Sequence, residues 1–129
     1  MSPRQTVNAP GAPEAAGPYS HAVQSKGHLF CSGQVPIDPG TGKLVEGSIG
    51  DMTRRCLDNL ALVCEAGGAQ LSDAVRMAIY VTDISVFGEV NAAYAEYFPS
   101  DPPARTTIGV AALPLGAQVE IDAVVSLPD

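Results

Sequence analysis

A chain of 129 residues, 46% hydrophobic and 16% charged, has the size and composition of one domain with one core. Seven Lys and Arg against fourteen Asp and Glu leave a net charge of −7, which repels nucleic-acid phosphates, and the cations are too scattered to form a local basic patch. No apolar run approaches a membrane span and the first residues lack the apolar stretch of a secretory signal, so a cytoplasmic location is expected.

Residues 1–16 hold three prolines and no hydrophobic periodicity, which predicts an extended or loose arm ahead of a single domain at 17–129. Gly17-Pro18-Tyr19-Ser20 is turn chemistry, with Tyr19 either packing or facing a pocket. His21 to Lys26 reads as a short strand, turned by Lys26-Gly27. His28 to Val35 is a stronger one. Strict alternation puts Leu29, Cys31, Gly33 and Val35 on one face and His28, Phe30, Ser32 and Gln34 on the other. Cys31 then reads as a small core residue, and Ser32 lacks the surroundings of a hydrolase nucleophile. The glycines of the 36–47 loop do not form a phosphate-binding pattern.

Ser48-x-x-Asp51 is a capping box. The helix after it carries Ile49, Met52, Cys56, Leu57, Leu60, Val63 and Cys64 on one stripe and ends at Gly67-Gly68. The three cysteines make no C-x-x-C and read as reduced, buried thiols; with two histidines there is no zinc-site spacing. Ala74 to Thr82 alternates, with Val75, Met77, Ile79 and Val81 toward the core. A second helix is predicted over roughly residues 86–98, capped by Asp83 or Ser85, with Phe87, Val90, Tyr94 and Phe98 as its apolar stripe. Asn91 and Tyr94 are neighbours on it at i,i+3.

Pro103-Ala104-Arg105-Thr106-Thr107-Ile108-Gly109-Val110 reads as a strand that puts Arg105 and Thr107 on one face. A guanidinium among Thr, Gly and Ala in mid-sheet cannot shed its charge and needs an anion. That anion is either a ligand or a structural carboxylate such as Glu120. The last strand, Val119 to Ser126, turns Val119, Ile121, Ala123 and Val125 inward and Glu120, Asp122 and Val124 outward.

The order strand, strand, helix, strand, helix, strand, strand predicts an α+β fold, one sheet with two helices on one face. The opposite face would show Phe30, Ser32, Ala78, Tyr80, Thr107, Gly109, Ala111 and Val124, with Arg105 and Glu120 among them. It is too apolar for a solvated face. Self-association is expected, with a pocket at the subunit boundary holding Arg105, Glu120 and Ser32.

Five stretches carry a resemblance: Gly17-Pro18-Tyr19-Ser20, Cys31-Ser32-Gly33-Gln34-Val35-Pro36-Ile37-Asp38-Pro39, Val90-Asn91-x-x-Tyr94, Pro103-Ala104-Arg105 and Val119-Glu120-Ile121-Asp122-Ala123. In this order and spacing the chain, from Ala12 to about Val125, resembles the RidA/YjgF family of reactive-intermediate imine/enamine deaminases. The resemblance implies a chorismate-mutase-like α+β fold and a homotrimer with active sites at the subunit interfaces. It implies cofactor-independent and metal-independent hydrolysis of 2-aminoacrylate-type enamines, through their imines, to 2-keto acids and ammonia. It implies that Arg105 binds the substrate carboxylate, that Glu120 handles the water, and that Tyr19, Ser32, Gly33, Asn91, Tyr94 and Thr107 line the site. Many members have Cys where this chain has Thr107, which excludes thiol chemistry there and leaves room for a specialised branch. Two other classes stay open: a ribonuclease or translation inhibitor, which the charge disfavours, and a non-catalytic carboxylate-binding trimer or stress chaperone.

Overall fold

The computed structural model describes residues 3–129. Ten elements carry the fold: β1 (Gln5–Val7), β2 (Ala22–Ser25), β3 (His28–Gln34), β4 (Ile37–Asp38), β5 (Lys43–Leu44), α1 (Ile49–Ala66), β6 (Ala74–Val81), α2 (Phe87–Ala95), β7 (Ala104–Gly109) and β8 (Val119–Ser126). Six strands form one mixed sheet in the order β1-β2-β3-β8-β6-β7, and β4 and β5 make a separate hairpin. β7 runs parallel to β6, because α2 carries the chain back across the sheet between them; the other pairs are antiparallel. Two helices on a mixed sheet is the α+β arrangement the element order predicts.

The start of α1 follows its capping box. Ser48 Oγ accepts from the Asp51 amide at 3.0 Å, and an Asp51 carboxylate oxygen accepts from the Ser48 amide at 3.3 Å. Cys56, Leu57, Leu60, Val63 and Cys64 are buried on the sheet, where Leu29, Met77, Ile79, Val119, Ile121 and Val125 meet them. The stripe also carries a buried polar residue. Asn59 donates to the carbonyl of Ile37 at 2.9 Å and accepts from Arg55 Nε at 3.1 Å, which fixes the 35–37 corner against the helix. All three cysteines are free and buried as expected, and burial pushes the Cys56 thiol well above the ordinary thiol range.

Several expectations are corrected. The stretch 3–16 is not loose: β1 pairs with β2, and Ala9 and Ala12 are buried. Alanines are too small to announce a core-facing pattern, and backbone pairing does what side chains do not. Met1 and Ser2, the first two residues of that expected arm, lie outside the described residues. Val75 is exposed, because a register shift between Ala74 and Arg76 against β8 takes it out of the alternation that holds Met77, Ile79 and Val81. α2 is shorter than predicted, because it ends at Ala95, three residues before Phe98; just ahead of it Ile84–Val86 form a separate 3₁₀ turn that Asp83 caps by accepting from Ser85 N.

Two further corrections decide where the site lies. The register shift between Cys31 and Gln34 sets three residues of β3 against two of β8. Gln34 therefore turns into the core, 6% exposed, and Gly33 comes to face Glu120. β7 lies at the sheet edge, not in mid-sheet, and Arg105 pairs with Met77 and Thr107 with Ile79. Paired residues point to the same side, so Arg105 and Thr107 face the helices together with those core residues. Glu120 pairs with Tyr80 and points to the opposite face. The face away from the helices presents Phe30, Ala78, Tyr80, Ile108 and Val124, with Tyr80 Oη donating to Asp122 at 2.9 Å.

Candidate active site

Chemistry-bearing groups gather at two places. The first lies where β7 meets α2. Residues 87, 91 and 94 recur at helical spacing, so Phe87, Asn91 and Tyr94 share one face of α2. The Arg105 guanidinium lies over the Tyr94 ring at 4.7 Å and over the Phe87 ring at 5.4 Å. It also donates from Nη2 to Asn91 Oδ1. Aromatic faces and a neutral amide orient the fork without cancelling its charge. Among the described residues no carboxylate lies within ion-pair distance of Arg105; the ion pairs found belong to Arg54. The structural pairing of Arg105 with Glu120 is excluded in one chain by their opposite faces.

The surroundings of Arg105 hold unspent hydrogen-bonding capacity. Tyr94 Oη and Thr107 Oγ1 are buried side-chain oxygens without a partner. Native proteins rarely leave such groups unpaired. Two hydroxyl donors beside a fixed guanidinium are what a carboxylate would satisfy. Burial raises the Tyr94 phenol, while Arg105 pulls it back down, so it remains a donor at neutral pH.

The second place is a small hollow beside Glu120, lined among others by Tyr19, Gly33, Gln34, Pro114 and Leu115. Its volume of about 40 Å³ admits a water molecule and little more. Burial, and next the charge of Asp122, hold the Glu120 carboxyl above its ordinary range. Gly33 is what lets the carboxylate sit there, for a Cβ at that position would meet Glu120 Oε2 at 2.2 Å. Gly33→Ala should therefore swing the carboxylate aside. The conflict is with the free end of a side chain, so we expect stability to change by less than about 1 kcal/mol while the rate of any reaction using Glu120 falls at least about tenfold. Thermal unfolding and steady-state kinetics on the same sample check both halves.

The expected site residues thus divide between the two places. Arg105, Asn91, Tyr94 and Thr107 belong to the first, and Glu120, Gly33 and Tyr19 to the second. Ser32 belongs to neither. Its hydroxyl donates to the Ser20 carbonyl at 2.6 Å and its amide to the His21 carbonyl at 2.9 Å, which holds the 19–21 turn in place. Tyr19 is 48% exposed, with its hydroxyl accepting from Ala16 N at 3.1 Å. Phe87 was expected in the apolar stripe and is instead an exposed ring against Arg105; the i,i+4 spacing to Asn91 is the signal that could have found it. His21 is buried, with Nδ1 accepting from Ala9 N at 2.9 Å and Nε2 donating to the Pro13 carbonyl at 2.8 Å. Both ring nitrogens are committed to holding the 9–16 segment. A larger hollow of about 800 Å³, between β1 and the 19–21 turn, offers one carboxylate, Glu14, and no free cation. Among the described residues no three His, Cys, Asp or Glu groups gather as metal ligands.

Residues 9–127 match the family described as endoribonuclease L-PSP. The chain is 40% identical over 125 residues to a protein of Dermatophagoides farinae named 2-iminobutanoate/2-iminopropanoate deaminase, covering 97% of this chain and 98% of that one. It is 40% identical over 121 residues to a RutC family protein of Pyrococcus horikoshii, covering 94% and 96%. The crystal structure of the YjgF gene product of E. coli superposes with a TM-score of 0.89 at 34% identity, covering 95% of this chain and 98% of that one.

Proposed function

The chain belongs to the endoribonuclease L-PSP family, that of the YjgF and RidA proteins, and from that premise we propose that it hydrolyses 2-imino acids to 2-keto acids and ammonia at sites shared between the copies of a homotrimer. One observation carries this reading: the anion-binding cluster at Arg105 and the carboxylate hollow at Glu120 sit on opposite faces of one sheet, each lacking what the other has. A second copy joins them by bringing its Arg105 end to this chain's Glu120. The apolar face of Phe30, Ala78, Tyr80, Ile108 and Val124 supplies the surface on which copies meet. The family resemblance sets the number at three.

The chemistry follows from the two half-sites. Arg105 takes the carboxylate of the imino acid in its planar fork, with Tyr94 and Thr107 as further donors. Water in the hollow beside Glu120 attacks the imine carbon as Glu120 accepts its proton. Glu120 passes that proton to the nitrogen, and the tetrahedral amino alcohol that forms loses ammonia as its hydroxyl proton moves to the nitrogen and the C–O bond becomes the keto group. Atoms balance: one imine and one water give one keto acid and one ammonia. An enamine enters by first taking a proton at its β-carbon and losing one from its nitrogen, which gives the imine. No covalent nucleophile is required, which agrees with three thiols that are all buried.

The name of the family also raises ribonuclease activity. The two half-sites hold one free guanidinium and no free imidazole, since His21 is committed on both nitrogens, and the chain carries −7. That is a poor setting for an RNA backbone. The test supplies 2-iminopropanoate generated in situ and follows pyruvate and ammonia, alongside RNA cleavage by the same preparation and a light-scattering mass. Accelerated imine loss by a trimer is the expected result. A monomer, or imine loss no faster than in buffer, would overturn the reading.

A further inference from the structure

Leu115 has no reason to be leucine on structural grounds. It lies in the Pro114–Gly116 turn with φ of +62°, in the left-handed region. A side chain with a Cβ costs about 1–2 kcal/mol there, and glycine or asparagine is the usual occupant. The other two non-glycine residues with positive φ among the described residues are Lys26 and Asp101, both polar and in turns. Leu115 alone spends that strain on an apolar group. Nothing in the core repays it, because the side chain is 61% exposed, the highest of the exposed large apolar residues. Yet it lines the hollow beside Glu120, next to Pro114, and the hollow is too small to take more than the attacking water.

These facts fit together if the substrate is placed as proposed above, and the inference rests on that placement. Arg105 of a second copy fixes the carboxylate, and water beside Glu120 fixes the imine carbon. The third substituent of that carbon, its side chain, is then excluded from the hollow and directed to the rim. We propose that Leu115 is the specificity-determining residue at that rim: its side chain packs on the substrate's side chain, so the enzyme prefers aliphatic 2-imino acids with a branched or long chain over the imine derived from alanine. An apolar wall of this kind discriminates between substrates by the apolar atoms it covers, on a scale of tenfold or more for a few carbons.

Leu115→Gly tests this without threatening the fold, since glycine relieves the backbone strain and stability should be equal or higher. Two ratios are read. One is kcat/KM for 2-imino-4-methylpentanoate against 2-iminopropanoate. The other is the affinity for 4-methyl-2-oxopentanoate against pyruvate, measured calorimetrically without turnover. Wild type should favour the branched member in both, and Leu115→Gly should lower each ratio about tenfold, with the loss borne by the larger molecule. Leu115→Lys should lower them at least as far. Ratios that stay at the wild-type value, or variants that change both ligands equally, overturn the inference. So does a fall in assembly mass, which would make Leu115 an interface residue. If the binding ratio shifts as stated while no imine is turned over, the inference about Leu115 stands and the proposed reaction fails.

Discussion

Glu120→Gln should lower kcat by at least about a hundredfold, the usual contribution of a positioned general base, while a 2-keto acid such as pyruvate still binds. Glutamine keeps the shape of the side chain beside Gly33 and removes only the ability to take a proton. The wild-type pH profile should show the same group. The base form is the carboxylate, and burial, followed by Asp122, holds its pKa above the ordinary range. Activity should therefore fall as the pH drops through a value higher than that of a free glutamate, and Asp122→Asn should move that limb down. Unfolding does not explain such a loss. A carboxyl with a raised folded pKa contributes most to stability below its unfolded pKa, and that contribution is lost as the pH rises through the folded value. At neutral pH the glutamine variant should be no less stable than wild type. Equal rates for wild type and Glu120→Gln would mean that some other group, or the substrate itself, activates the water.

Arg105→Lys should reduce kcat/KM by about two orders of magnitude or more and abolish the binding of pyruvate as well. The charge is preserved, but the planar fork is not. Asn91 Oδ1 and the faces of Tyr94 and Phe87 are arranged around a flat guanidinium, and a lysine ammonium has three donors in no fixed plane. The two variants thus separate the roles. Loss of binding together with rate marks Arg105 as the anion site, and loss of rate with binding retained marks Glu120 as the base. If Arg105→Lys leaves pyruvate affinity unchanged, the carboxylate is held elsewhere.

Elements with strong local signals were legible in the sequence, and the relations between elements were less so. Ser48 and Asp51 announce the start of α1, and the alternation of Val119, Ile121, Ala123 and Val125 survives intact in β8. Alternation within β7 correctly puts Arg105 and Thr107 on one side. It cannot say which side of the sheet that is, because this depends on the register that the α2 crossover gives β7 against β6. The consequence is large, since placing Arg105 with the helices turns one expected pocket into two half-sites. The register shift in β3 was hidden for a related reason. Gly33 inside a strand is a known mark of a bulge, but a strict period of two overrides it and sends Gln34 to the wrong face. Asn91 and Tyr94 were legible as neighbours, whereas Leu115 was not, because nothing in Pro114-Leu115-Gly116 reveals a positive φ on the leucine.

The division of the site between chains is the central claim, and mixing two inactive variants tests it most directly. Arg105→Lys and Glu120→Gln subunits, unfolded together and refolded at equal ratio, should co-assemble, with mixed assemblies confirmed by native mass. If each site takes its Arg105 cluster from one chain and its Glu120 hollow from another, about a quarter of the sites regain both intact halves by random assortment. Imine hydrolysis should then return to a matching fraction of the wild-type rate. Mixed assemblies no more active than either variant alone would contradict the account.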